Sequence, residues 1–201
     1  MITTTNLTKT FDNIVLKYPD ITANKGDFIL ICGDSGTGKS TLCEMIAKFT
    51  TQDSGDILIN GIDSRKLNVF VYIHYLSQFP DNNLIGPTCY EEVELWLSSQ
   101  ETENRNDFIK NKLNEFLLGG LIDMPVWKLS FGKKKALAFC CINVVKRDIW
   151  ILDEPFAGLD SEMHVIIKNM LHEFINSGGI IIATSHSDEG FECFKTVRIK
   201  L

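Results

Sequence analysis

No run of apolar residues in this 201-residue sequence approaches the roughly 20 needed to cross a bilayer, so any work at a membrane requires another chain to do the spanning. The first residues, MITTTNLTKTF, have neither the basic start nor the apolar stretch of a secretory signal, and no export is expected from them. Basic charge is also scarce. Twenty Lys and Arg against 26 Asp and Glu leave a net charge of -6, which argues against a general nucleic-acid binder, because that role needs a basic face to displace counterions. Any phosphate must be gripped locally. The six cysteines form no C-x-x-C pair and mostly sit in apolar runs, where cysteine acts as a small hydrophobe, so a reducing cytosol is expected. There is no internal repeat and no low-complexity linker. At 44% hydrophobic and 23% charged the composition is that of an ordinary globular chain, and the length favours one domain, residues 1–201.

What is present is an alternation of strand and helix signals. Early strands are expected at residues 14–16 and 28–32, the second a buried run ending at Gly33, followed by a glycine-rich loop and a helix over residues 41–49. SGDILING (residues 54–61) reads as a turn and short strand, and VYIHYLSQ (71–78) as a strand with a polar exit. Residues 86–146 form an expected helical excursion, with helical spacing clearest over 91–118. Strand signals return in IWIL (149–152) and GIIIAT (179–184), separated by a helix over 161–175. The final VRIKL is expected to be a last strand with no appended regulatory domain. Such alternation implies an α/β fold with a mainly parallel, doubly wound sheet, whose ligands bind beyond the carboxyl ends of its strands.

Chemistry concentrates at those ends. GDSGTGKST (Gly33, Asp34, Ser35, Gly36, Thr37, Gly38, Lys39, Ser40, Thr41) fits G-x-x-x-x-G-K-[ST] between a buried strand and a helix. Glycines let successive N–H groups face one anion, and the helix N-terminus adds its positive end. Lys39 supplies charge for the outer phosphates, and Ser40 is suited to magnesium. A nucleoside triphosphate site follows. In DIWILDEP (148–155) an apolar strand delivers Asp153 and Glu154 together to the phosphate end, Asp153 to hold magnesium through water and Glu154 to polarise an attacking water. His186 follows the GIIIATS strand in a comparable place. Lys133 to Lys135 read as a solvated helix face.

Taken in order, GDSGTGKST, the glutamine of YLSQFP, LSFGK, ILDEP, FAGLD and TSHSDE resemble the ATP-binding cassette (ABC) family of ATPases over essentially the whole chain. The resemblance implies a P-loop NTPase (RecA-like) core at residues 1–85 and 147–201 that carries a small antiparallel β subdomain. It also implies an inserted helical subdomain at 86–146. ATP and Mg²⁺ become the expected cofactors. Gln78 would touch magnesium or water and couple to a membrane partner, Asp160 would belong to the dimer loop, His186 would serve as the γ-phosphate switch, and Phe11 would stack on adenine. Two such domains, identical or paralogous, would pair head to tail, with an integral membrane transporter subunit as the further partner. The location implied is cytoplasmic, on the inner face of the cell membrane.

In that family the loop usually written LSGGQ caps the nucleotide of the opposite domain. Here Ser130 and Gly132 keep the pattern, whereas Phe131 and Lys133 depart from it. Residues 79–97, FPDNNLIGPTCYEEVELWL, resemble ATPases of energy-coupling-factor importers. Gln78, Pro80, Asp81, Leu84, Gly86, Thr88, Glu92 and Val93 agree with them, while Asn83 and Cys89 do not. Two rival readings are a soluble ABC assembly factor and a regulatory half of a heterodimer. A GTPase is disfavoured, since no N-K-x-D element follows the phosphate loop.

Overall fold

The computed structural model describes residues 1–97 and 104–201, so residues 98–103 of the expected helical excursion lie outside the described residues. ITTTNLTKTF builds strand β1 (Ile2–Phe11), which turns tightly into β2 (Ile14–Lys17); β3 (Ile21–Ala23) returns along its other end. β5 (Ser54–Ile59) and β6 (Ile62–Asp63) complete an antiparallel sheet in the order β2-β1-β5-β6, with β3 also on β1. β1 carries no strict apolar alternation, and its strand character was not anticipated. Side-chain patterning is replaced there by main-chain pairing on both edges.

Between β3 and β5 lie β4 (Phe28–Cys32) and helix α1 (Lys39–Ile46). After β6 come β7 (Ile73–Leu76), α2 (Cys89–Leu97), α3 (Arg105–Glu115), α4 (Phe131–Val144), β8 (Ile149–Leu152), α5 (Ser161–Asn176), β9 (Ile180–Ser185) and β10 (Thr196–Lys200). The second sheet is parallel throughout, in the order β10-β4-β9-β8-β7. Its middle strands, FILIC, IWIL and IIIATS, read as continuous apolar runs because both faces are covered. Phe28, Ile29, Leu30 and Ile31 are each at most 1% exposed, and each such side chain contributes about 1.5–3 kcal/mol of burial. An aspartate at Leu30 would place an unpaired charge at the sheet centre and break the fold.

The chain divides into two compact units, one comprising Met1–Gln78, Arg147–Pro155 and His172–Leu201, the other Phe79–Lys146 and Phe156–Leu171. Both sheets and α1 belong to the first. The second gathers α2, α3, α4 and the start of α5. Residues 79–85 and 156–171 therefore group with the helices, and local contacts explain it. Lys134 on α4 pairs with Asp81, and Lys135 Nζ donates to the Ala157 carbonyl at 3.0 Å. Glu92 of α2, fully buried, accepts from the Ile85 N–H at 2.8 Å, from the Gly86 N–H and from Trp96 Nε1 at 3.0 Å. A Cβ on Gly86 would meet the Glu92 backbone at 2.6 Å, so the position has room only for glycine.

Candidate nucleotide site

Six residues separate β4 from α1, and they wrap around the start of the helix. Gly36 (φ 83°) and Gly38 (φ 93°) both adopt left-handed backbone. At Gly38 a side chain is excluded twice over, since a Cβ would lie 2.7 Å from Tyr18 Oη and 2.8 Å from Leu16 Cδ1. Tyr18 also donates to the Gly38 carbonyl at 3.3 Å, and burial pushes its phenol up to about 12. No side chain caps α1 and no acidic residue sits in its first turn, so the N–H groups of that turn are open to an anion. Lys39, nearly buried, donates from Nζ to the Gly33 and Asp34 carbonyls at 2.8 and 2.9 Å, and Thr37 closes the loop onto Asp34. Gly38 and Lys39 line a cup of about 280 Å³ with Phe11, Leu16, Ser35, Gly36, Ser40, Thr41, Gln78, Glu154 and His186.

Asp153 and Glu154 leave the end of β8 in different ways. Asp153 is 3% exposed and accepts from the Thr184 hydroxyl at 2.5 Å. Glu154 takes a left-handed conformation (φ 50°) that turns its side chain to the cup, where Oε1 lies 3.4 Å from His186 Nε2. Left-handed backbone at a non-glycine residue costs about 1–2 kcal/mol and persists only where neighbours impose it. The loop carrying His186 is anchored by Asp188, which pairs with Arg198 at 3.1 Å and accepts from the Cys32 thiol at 3.3 Å. Burial and that bond push the Cys32 thiol up to about 11. The carboxyl of Glu44 on α1 is raised by burial and then by the charge of Asp153, and burial together with neighbouring charges holds the Tyr75 phenol up as well. Ser40, Gln78 and Asp153 offer hard oxygen donors beside this negative field, a set that suits Mg²⁺. The cup's N–H groups and Lys39 suit a polyphosphate.

Ser130, Gly132 and Asp160 belong to the second unit and line a separate cavity of about 330 Å³ with Phe131, Lys133, Gly158 and Met163. Ser130 is the N-cap of α4, and its Oγ accepts from the Lys133 N–H at 3.4 Å. The Phe131 ring lies against Gly158, where a Cβ would come within 2.6 Å of it, and Gly132 has equally little room under the Gly158 carbonyl. Asp160 accepts from the Met163 N–H at 2.8 Å and so caps α5. The expectation of a solvated lysine face needs correction. At about 100° per residue three successive lysines cannot share one face. Lys135 points inward, 3% exposed, with Nζ 5.4 Å from the Phe131 ring centroid.

Of the residues singled out from the sequence, Phe11, Ser35, Gly36, Gly38, Lys39, Ser40, Thr41, Gln78, Glu154 and His186 line the cup. Gly33, Asp34 and Thr37 are tied into its loop by hydrogen bonds without lining it, and Asp153, also outside the lining, is bonded to Thr184. Sequence reasoning missed Tyr18, Thr184, Lys135 and Gly158. Only Thr184 carried a signal, as the polar residue inside IIIATS.

A glycine loop running from a central parallel strand into a helix, with acidic residues at the end of a nearby strand, defines a P-loop nucleoside triphosphatase. The sequence profile of the ABC transporter family matches residues 16–157, and the chain belongs to that family; it is a nucleotide-binding ATPase of the ABC class. It is similar to the cytochrome c biogenesis ATP-binding export protein CcmA of Pasteurella multocida, 29% identical over 94% of this chain and 89% of that protein. It is also similar to the energy-coupling factor transporter ATP-binding protein EcfA1 of Fusobacterium nucleatum, 29% identical over 93% of this chain and 74% of the relative. Among solved structures, cbiO1 of Clostridium perfringens, part of the ABC transporter complex cbiONQ, superposes with a TM-score of 0.72. The two are 30% identical over 92% of this chain and 78% of that one.

Proposed function

We propose that the protein is the ATP-hydrolysing subunit of an ABC transporter, working as one ABC domain at the cytoplasmic face of the membrane. It would pair with a second such domain and drive a separate membrane-embedded subunit; among the described residues no helix is long and apolar enough to cross a bilayer. The observation that carries the reading is the left-handed Glu154, which brings a carboxylate and His186 to the same cup as Lys39, Ser40 and Gln78. Lys39 and the first-turn N–H groups of α1 bind and orient the outer phosphates, and Phe11 offers a face for the base. Ser40, Gln78 and, through water, Asp153 would hold Mg²⁺, whose chemistry there would be to offset phosphate charge. Glu154 orients the attacking water and takes up its proton, and His186 stabilises the transferred group. Ser130 and Gly132 cap the nucleotide of the opposite domain, Asp160 lies in the dimer loop, and closure and reopening of the pair drives transport.

Within the family, the stretch over residues 79–97 favours the energy-coupling type, an importer, over the export type whose named relative is similar to the same degree. A second reading is favoured by Phe131 and Lys133. In it the chain is the regulatory half of a heterodimer, with a cap that no longer supports its partner's chemistry.

Glu154→Gln tests the main reading. The variant should bind ATP as the wild type does, lose at least about a hundredfold in turnover, and accumulate an ATP-dependent dimer on a sizing column. Wild-type turnover in the variant would remove Glu154 from the chemistry. Co-purification with the product of an adjacent membrane-protein gene would test the transport role.

A further inference from the structure

We infer that Thr184 is a positioning residue that ties the Asp153 carboxylate and the Glu154 main chain together through its single hydroxyl, an assignment that rests on the roles proposed above for Asp153 and Glu154. Thr184 is fully buried in β9, between β4 and β8, with a register that sets Ile31 beside it. A hydroxyl in such surroundings is costly unless both its donor and acceptor capacities are used. Here both are. The Glu154 N–H donates to Thr184 Oγ1 at 3.1 Å, and Oγ1 in turn donates to Asp153 Oδ1 at 2.5 Å. That second distance is at the short end for a hydroxyl donating to a carboxylate.

The bookkeeping of the one proton fixes the geometry. The hydroxyl accepts from a main-chain N–H and gives its one hydrogen to Asp153, whose Oδ1 acts as the acceptor. One carboxylate oxygen is thereby tied, and Oδ2 is the oxygen left for a water or a cation. Meanwhile the bond to the Glu154 N–H restrains the one non-glycine residue of the cup wall that sits at positive φ, and that conformation aims the Glu154 side chain. Thr184 also lies two residues before His186 on the same strand end, so Asp153, Glu154 and His186 are registered from one strand. A valine would fill the same space and supply neither bond.

The test compares Thr184→Val with Thr184→Ser. Loss of an outer partner to a metal-binding carboxylate costs about 10- to 100-fold in affinity or activity, and that range is expected for kcat in the valine variant, with KM for ATP changed less than about threefold. A readout independent of turnover is the affinity for Mn²⁺, followed by its paramagnetic resonance signal, in the presence of the non-hydrolysable analogue adenylyl imidodiphosphate. The valine variant should bind Mn²⁺ about tenfold more weakly, and metal-free nucleotide binding should be unchanged. Serine, which keeps the hydroxyl, should restore both readouts. If the valine variant does not fold, Thr184→Ala is measured against serine with the same expectations. Wild-type kcat and Mn²⁺ affinity in the hydroxyl-free variant, or a serine variant as impaired as it, would overturn the inference. Glu154→Gln, assayed alongside, separates the two layers: if it keeps wild-type turnover, the carboxylate reading itself fails. If it loses turnover while the hydroxyl-free variant stays wild type, only the role of Thr184 fails.

Discussion

The cup on the sheet unit and the cap loop on the helical unit both lie at the first turn of a helix, yet they are made in opposite ways. α1 begins at a left-handed glycine with no side-chain cap, whereas α4 begins at Ser130, whose backbone is extended and whose hydroxyl caps the helix through a long 3.4 Å bond. A hydroxyl that accepts from Lys133 still has its own hydrogen to give. Local capping and donation to a phosphate are therefore compatible at Ser130, and Phe131 does not obstruct them, because its ring is spent on Gly158 and Lys135. At Gly38 the cup has no room for a side chain, whereas the cap seats a whole ring, Phe131, against Gly158. The difference teaches that one helix start is shaped by glycine backbone and the other by side-chain packing.

The sharpest way to break the comparison is at the cup. Lys39→Ala should abolish tight Mg-ATP binding in calorimetry while leaving the fold intact, since it removes the charge set opposite the outer phosphates. Unchanged affinity in a folded variant would contradict the site as a whole. Next comes the cap, where Ser130→Arg should lower ATPase activity by about a hundredfold or more by blocking closure and removing a positioned donor. A silent result, in the protein alone and mixed with any paralogue, would favour the regulatory reading. The smallest effect is expected from Phe131→Gly. Turnover should stay within about threefold, and stability should fall by about 1–2 kcal/mol through lost ring packing and a glycine in a helical turn, as read from thermal melts. If Phe131→Gly together with Lys133→Gln raises the rate instead, the cap has been weakened in this chain.

Legibility in the sequence followed the same division. FILIC, IWIL and IIIAT announced the central strands because burial on both faces demands continuous apolar runs, and GDSGTGKST announced the cup because its chemistry is carried by consecutive backbone groups. LDEP and TSHSDE marked the right strand ends for the same reason: the residues lie next to the strands that aim them. β1, β3 and β6 were not legible, since their pairing comes from distant edges and from strands as short as two residues.

By itself, then, the sequence determined the parallel sheet, the phosphate loop and the carboxylate pair, because each is a local pattern with a local cause. Tertiary structure alone decided that Lys135 turns inward, that Phe131 rests on Gly158, that residues 79–85 and 156–171 pack with the helices, and that Thr184 joins the Asp153 carboxylate to the Glu154 main chain. Each of these depends on which distant segment arrives within hydrogen-bond or van der Waals range. Spacing along the chain carries no record of that.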